Sequence, residues 1–266
     1  MTDRTAEVWK NAQAYEGFMG RWSRLVAAEF LRWLVPDAGE AWCDVGCGTG
    51  ALSQAVLERA EPRRVVGVEP SEGFAAAARA TVDDPRFEVR AGDAAQIPAA
   101  DGEFDRVVSA LALNFVPDPA AGLAEMRRVT RAGGTVAGYV WDYADGMQML
   151  RAFWDAAVEL DEESSALDEA VRFPVCQPEP LRALATGAGL AGIAVEPLRV
   201  PTVFRDFDDF WQPFLGGQGP APGYCVHLPE RRRAELRDIL DRRLPRTGDG
   251  RIELTATAWA FLGTPS

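Results

Sequence analysis

The sequence predicts an α/β fold with a mostly parallel sheet, and three features of the chain carry that reading. An apolar run reaching Val45 ends in a turn with glycines at 46, 48 and 50, after which Leu52 opens a helical pattern. A second apolar run, Arg64-Val65-Val66-Gly67-Val68, follows that short helix and reads as a strand buried on both faces, so the two make a βαβ unit. Strand-like runs and helical periodicity then alternate as far as Trp141. At 266 residues the chain is long enough to bury a substantial core, and one α/β domain with an elaborated end is expected over residues 1–266.

From the N-terminus, residues 7–35 carry a helical pattern in which Phe18, Trp22, Leu25, Val26, Phe30 and Leu34 recur at three- and four-residue steps, and Pro36 stops it. Gly17 and Gly20 each weaken that helix by about 1 kcal/mol against alanine, which suggests a break over a ligand. Tyr15 and Arg21 could hold a carboxylate there; packing of the aromatics with Arg21 in solvent is the plainer alternative. Residues 1–40 are thus expected to form a cap helix.

The glycine turn is read as a nucleotide cradle, because glycines can take positive φ and let a ligand lie against backbone amides at a helix N-terminus. Its spacing is G-x-G-x-G, whereas the dinucleotide fingerprint is G-x-G-x-x-G/A. Glu69 stands 19 residues beyond Gly50 at the end of the second strand, where a carboxylate can accept both hydrogen bonds of a ribose diol. Ser71 is expected to cap the alanine-rich helix from Phe74 to Ala80, Phe87-Glu88-Val89 is a third strand, and the loop Ala91-Gly92-Asp93-Ala94 follows. Phe104 to Leu111 reads as a fourth strand. A helix is expected to run to Arg131 and stop at Gly133-Gly134, before a fifth strand from Thr135 to Trp141.

Asp44-Val45-Gly46-Cys47-Gly48-Thr49-Gly50 resembles the first motif of class I S-adenosylmethionine-dependent methyltransferases, and Gly92-Asp93-Ala94 resembles their adenine loop. The phrase Leu123 to Trp141 is similar to the helix-Gly-Gly-strand closure of the same fold, so the resemblance covers roughly residues 41–141 and points to the small-molecule, type 11-like branch. It implies a Rossmann-like, doubly wound, seven-stranded sheet whose last strand, from Ile252, is antiparallel. It implies S-adenosyl-L-methionine as cofactor, with S-adenosyl-L-homocysteine as product. The cofactor positions it implies are Tyr15, Arg21, Asp44, Gly46, Cys47, Gly48, Gly50, Glu69, Pro70, Asp93, Ala94 and Ser109. The stretch Ala112 to Val116 lacks the Asn/Asp-Pro-Pro-aromatic motif of enzymes that methylate nucleobase amines.

Beyond Trp141 the alternation lapses, and residues 142–266 are assigned to the substrate half. Helices fill the space to about 189, a sixth strand is expected from Gly192 to Val203, and an insertion spans 204–250. Trp141 and Tyr143 leave the fifth strand at the edge where ligands bind in such sheets, although core packing serves Trp141 equally. Phe207, Phe210, Trp211 and Phe214 beside Gly216-Gly217 suggest a lid over an apolar ligand, with Trp211 and Phe214 as substrate contacts; a helix packed on the sheet is the alternative. His227 is a candidate general base or a structural histidine.

Composition narrows the function further. A formal net charge of −12 disfavours nucleic acid and anionic membrane surfaces, and Arg231-Arg232-Arg233 is interleaved with acids as on a solvated helix. No run approaches the roughly 18 apolar residues needed to span a bilayer. Four cysteines without a C-x-x-C pair and a single histidine make a poor metal set, and a cytoplasmic protein with reduced thiols and no metal is expected. The expected activity is methyl transfer to a small, apolar or aromatic metabolite. A non-catalytic cofactor-binding scaffold and an NAD-dependent oxidoreductase are the alternatives. Oligomeric state and acceptor identity do not follow from the sequence.

Overall fold

The structure is a computed structural model that describes residues 16–217 and 219–266. It comprises two compact units. One contains Ser23–Trp141, Val175–Leu198 and Ala258–Ser266, and the other contains residues 16–22, Asp142–Pro174 and Arg199–Thr257.

Among the described residues seven strands form one sheet: β1 (Ala41–Val45), β2 (Arg64–Glu69), β3 (Phe87–Ala91), β4 (Phe104–Ala110), β5 (Thr130–Trp141), β6 (Leu190–Phe204) and β7 (Ile252–Pro265). Their order is β3-β2-β1-β4-β5-β7-β6, as the doubly wound reading requires. β1 pairs in parallel with β2 and β4, β2 with β3 and β4 with β5, whereas β7 runs antiparallel to β5. The physical reason lies in the side chains. β1 is Ala-Trp-Cys-Asp-Val, buried throughout, and β2 and β4 are nearly so, as suits central parallel strands with helices on both faces. β3 is half-exposed, as an edge strand should be.

The crossover helices are α2 (Ala51–Arg59) between β1 and β2, α3 (Glu72–Thr81) between β2 and β3, and α4 (Pro119–Val129) between β4 and β5. Asp118 caps α4 by accepting from the Ala121 amide at 3.0 Å, with Pro119 at its first turn. Before the sheet, Glu16–Gly20 forms a wide π-type turn that leads into α1 (Arg21–Leu34). The glycine-broken stretch therefore does depart from regular α-helix.

Two expectations are corrected. The helix before β5 ends at Val129, and β5 begins at Thr130. Gly133, at φ 71°, and Gly134 lie inside β5, and a Cβ on Gly134 would sit 2.6 Å from the Asp105 carbonyl oxygen. The glycine pair thus lets β5 pass close to β4 at a register shift between Phe104 and Arg106. Ser71 makes no side-chain cap on α3; its backbone amide donates to Glu69 instead, at 2.9 Å.

The second unit has an aromatic core. Phe18, Phe153, Phe204, Phe210 and Phe214 are buried, with Phe153 and Phe214 stacked at 4.5 Å and Phe18 edge-on to Phe214 at 5.5 Å. The insertion contributes α8 (Phe207–Trp211), α9 (Pro220–His227) and α10 (Glu230–Arg243), which follow α5 (Gln148–Leu160), α6 (Glu169–Arg172) and α7 (Pro178–Gly187) in chain order. α10 carries Arg231 and Arg232 paired with Glu235, so the arginine run is a salt-bridged surface.

Candidate cofactor site

The strand order reverses between β1 and β4, and in doubly wound sheets that switch point opens a crevice beyond the carboxyl ends of the strands. The Ser109 hydroxyl donates to the Val45 carbonyl at 2.9 Å, latching β4 to β1 at its edge. A Cβ on Gly46 would lie 2.6 Å from the Ala112 Cβ, so the turn after β1 and the turn after β4 meet there in van der Waals contact.

Gly48 behaves differently. It too has positive φ, 55°, but a Cβ there would meet only the Phe74 Cδ1, at 3.9 Å. Gly46 is glycine because neighbouring protein is close; Gly48 is glycine where the adjoining space is open, as backbone approached by a ligand requires. Gly50, at φ 89°, is the N-cap of α2 and has no side chain with which to cap it; in the first turn the Ser53 amide faces the Asp44 carboxyl.

Glu69 closes the loop from the second strand. Its Oε2 accepts from the Gly48 amide at 3.0 Å and its Oε1 from the Ser71 amide. A carboxylate has about four lone-pair sites, so the two amides that fix its orientation leave capacity for a diol. Burial pushes the Glu69 carboxyl upward in pKa, against the Ser71 and Gly48 amides, which favour the charged form. Pro70, next in the chain, is exposed.

Asp44 is 1% exposed, with Oδ2 accepting from the Ser53 hydroxyl at 2.7 Å and Oδ1 buried with no hydrogen-bond partner. Burial raises its pKa from 3.8 to about 7, against the Ser53 hydrogen bonds, and the charge of Glu69 raises it further. Cys47 is also buried, and desolvation with the charges of Asp44 and Glu69 holds its thiol well above the ordinary range, so it is no nucleophile. Asp93 is exposed in its loop, its Oδ1 accepting from the Ala95 and Gln96 amides at 2.8 and 3.0 Å, with Ala94 between them. The geometry thus brings Asp44, Gly46, Cys47, Gly48, Gly50, Glu69 and Ser109 together at the ends of β1, β2 and β4, with Asp93 and Ala94 following β3.

Tyr15 lies outside the described residues. The Arg21 Nη1 donates to both Asp209 oxygens, at 3.3 and 3.2 Å, and its guanidinium lies over Trp22 and Phe204. Trp141 is buried at the end of β5. Tyr143 is buried with its ring 5.9 Å from Phe173. Trp211 lies parallel to Phe207, and Phe214 is fully buried in the aromatic core. His227 is exposed at the end of α9, its Nδ1–H donating to the Gly223 carbonyl at 2.6 Å, which leaves Nε2 as the basic nitrogen. Among the described residues no group of three or more His, Cys, Asp or Glu is placed to hold a metal ion.

Sequence reasoning missed Ser53 and Asp209. Ser53 sits nine positions after Asp44, on the helix the glycine turn opens, and that proximity was a usable signal; Asp209 becomes a partner of Arg21 only through folding.

Residues 43–138 match the profile of a methyltransferase domain. An uncharacterised methyltransferase of Mycobacterium tuberculosis is 36% identical over 152 residues, covering 57% of this chain and 58% of that protein. Residues 43–138 thus form a methyltransferase domain, and the chain resembles the class I S-adenosylmethionine-dependent methyltransferases. The chain spans about half of the length of the curated relatives it matches, 48% of one and 58% of others. Its fold is shared with a putative methyltransferase from Bacillus halodurans, at TM-score 0.60 and 17% identity over 90% of this chain and 99% of that one. A phosphoethanolamine N-methyltransferase of Haemonchus contortus, solved with S-adenosyl-L-methionine, matches at TM-score 0.59 and 18% identity over 96% of this chain and 56% of that one.

Proposed function

We propose that this chain transfers the methyl group of S-adenosyl-L-methionine to a small, apolar or aromatic metabolite, with residues 1–266 acting as one methyltransferase domain. The observation that carries the reading is the contrast at the glycine turn, where the space beside Gly48 is open and Glu69 stands on the adjoining strand end holding the loop. When bound, the sulfonium cofactor supplies a methyl group already activated for in-line displacement. The chain's own contribution is positional. Glu69 would accept the ribose hydroxyls, the α2 amides and the glycine turn would lie against the amino-acid portion, Asp44 would place negative charge near its ammonium group, and Asp93 with Ala94 would meet the adenine. Holding donor and acceptor aligned is the principal source of acceleration in such a transfer, so little acid–base machinery is required.

An acidic chain disfavours nucleic acid as acceptor. No described helix is long and apolar enough to cross a membrane. The four cysteines are buried free thiols, which suits a reducing cytoplasm.

The test is transfer of labelled methyl from S-adenosyl-L-methionine to a panel of small phenols, naphthols and aromatic amines, each matched to an anionic analogue. Label is expected in a neutral aromatic product, with stoichiometric S-adenosyl-L-homocysteine. Label found only in protein or nucleic acid would contradict the proposal.

A further inference from the structure

We propose that Asn114 binds the methyl acceptor, and that the group it holds is uncharged: a hydroxyl or carbonyl carried on an apolar ring. This rests on the methyltransferase reading above and deepens it.

Asn114 lies in the turn Leu113–Phe115 just after β4, at the switch-point edge of the sheet. Two features fix that turn at the crevice. Leu111 holds φ 57°, a conformation that side-chain-bearing residues rarely adopt, while its amide donates to the Tyr139 carbonyl at 2.8 Å. Ala112 is the residue against which Gly46 packs. Asn114 itself is 7% exposed, and both its Oδ1 and its Nδ2 are buried without a hydrogen-bond partner. Buried amides are almost always paired, and leaving both ends of one unmet is costly. An unmet donor and acceptor side by side beyond a strand end is what a binding group looks like before its ligand arrives.

The chemistry of that ligand follows from the surroundings. The carboxylates suited to the cofactor stand on β1, on β2 and after β3, namely Asp44, Glu69 and Asp93, on one side of the switch point. Asn114 follows β4, on the other side, where the Ser109 hydroxyl is already engaged with the Val45 carbonyl, and the unmet amide is assigned to the second reactant. The stretch Leu111-Ala112-Leu113-Asn114-Phe115-Val116-Pro117 contains no charged residue. A charged acceptor group would be buried there without a counter-ion, whereas a hydroxyl can donate to the amide oxygen and accept from the amide nitrogen together.

The experiment titrates 2-naphthol and 2-naphthoate, one ring with a neutral or an anionic substituent, into protein saturated with S-adenosyl-L-homocysteine. Wild type is expected to bind 2-naphthol at least tenfold more tightly than 2-naphthoate. Asn114→Leu, with the same branching and the same number of heavy atoms, should weaken 2-naphthol at least tenfold and leave the S-adenosyl-L-homocysteine Kd within twofold. Its Tm should rise by about 2–4 °C, because an unmet amide is replaced by hydrocarbon. A Tm that falls would mean the amide is paired in the resting protein and would overturn the proposal. So would undiminished 2-naphthol binding by Asn114→Leu and by the smaller Asn114→Ala, a preference for 2-naphthoate, or no saturable binding of 2-naphthol to wild type. Absence of S-adenosyl-L-homocysteine binding, seen before either naphthalene is added, would instead remove the methyltransferase reading and this proposal with it.

Discussion

Replacing Gly48 by valine is expected to weaken S-adenosyl-L-methionine binding by at least a hundredfold while leaving the protein folded. A Cβ at this position meets no protein atom closer than 3.9 Å, so the new side chain starts into open space rather than against neighbouring protein. The cost to stability is confined to holding a β-branched residue at φ 55°, about 1–3 kcal/mol. The loss of affinity is larger because the branched side chain occupies the path along which the ligand meets the backbone. Gly46→Val supplies the contrast. Its Cβ would stand 2.6 Å from the Ala112 Cβ, so it should damage the fold before binding can be measured. Thermal melts and calorimetry on both variants check this. A Gly48→Val protein that binds within fivefold of wild type would mean that the glycine serves only the turn.

The second large effect is on stability against pH. Carboxyl groups whose pKa is lowered in the folded chain, such as Asp84 at about 2, finish titrating below roughly pH 5. Asp44 and Glu169 are the opposite case, each raised to about 7 by burial. Glu169 accepts from the Trp154 indole in the aromatic core of the other unit. A folded-state pKa above the unfolded one means that the folded chain holds the proton more tightly. The stability this provides is complete below the unfolded value of 3.8 for Asp44 or 4.5 for Glu169, and it is lost as pH rises through the folded value near 7. At about 1.4 kcal/mol per pH unit, Asp44 alone can account for a decline of up to about 4 kcal/mol. Urea midpoints should therefore fall between pH 5 and pH 8, and the fall should be smaller in Asp44→Asn, whose amide oxygen can still accept from Ser53. An identical fall in Asp44→Asn would show that the buried carboxyl does not carry its share.

The sheet and the glycine loop were legible in the sequence, and their legibility has a physical basis. Central parallel strands are buried on both faces, so Val65 to Val68 stands out as an unbroken apolar run, and Trp42 to Val45 and Phe104 to Val108 remain readable as strands although Asp44, Asp105 and Arg106 interrupt them. The positions of Gly46, Gly48 and Glu69 follow from the strand ends once those runs are found. Gly133-Gly134 misled because glycine after a helix ordinarily marks its end, whereas here the pair serves a close strand approach within β5. Arg21 was readable as a cation but not as half of a pair, since Asp209 is 188 residues away in sequence. The aromatics at 207–214 were visible as a cluster, yet whether they form a lid or a wall is decided by packing partners such as Phe18 and Phe153 that are remote in the chain. Asn114 could not be singled out because an asparagine after a strand is ordinarily a turn residue, and its significance lies in hydrogen bonds that the fold leaves unmade.

Isothermal titration of the wild-type chain with S-adenosyl-L-methionine and, separately, with NAD tests the central claim most directly. Saturable one-to-one binding of the sulfonium cofactor, with no heat of binding for NAD at the same concentration, is the predicted result. Saturable NAD binding with none for S-adenosyl-L-methionine would contradict it.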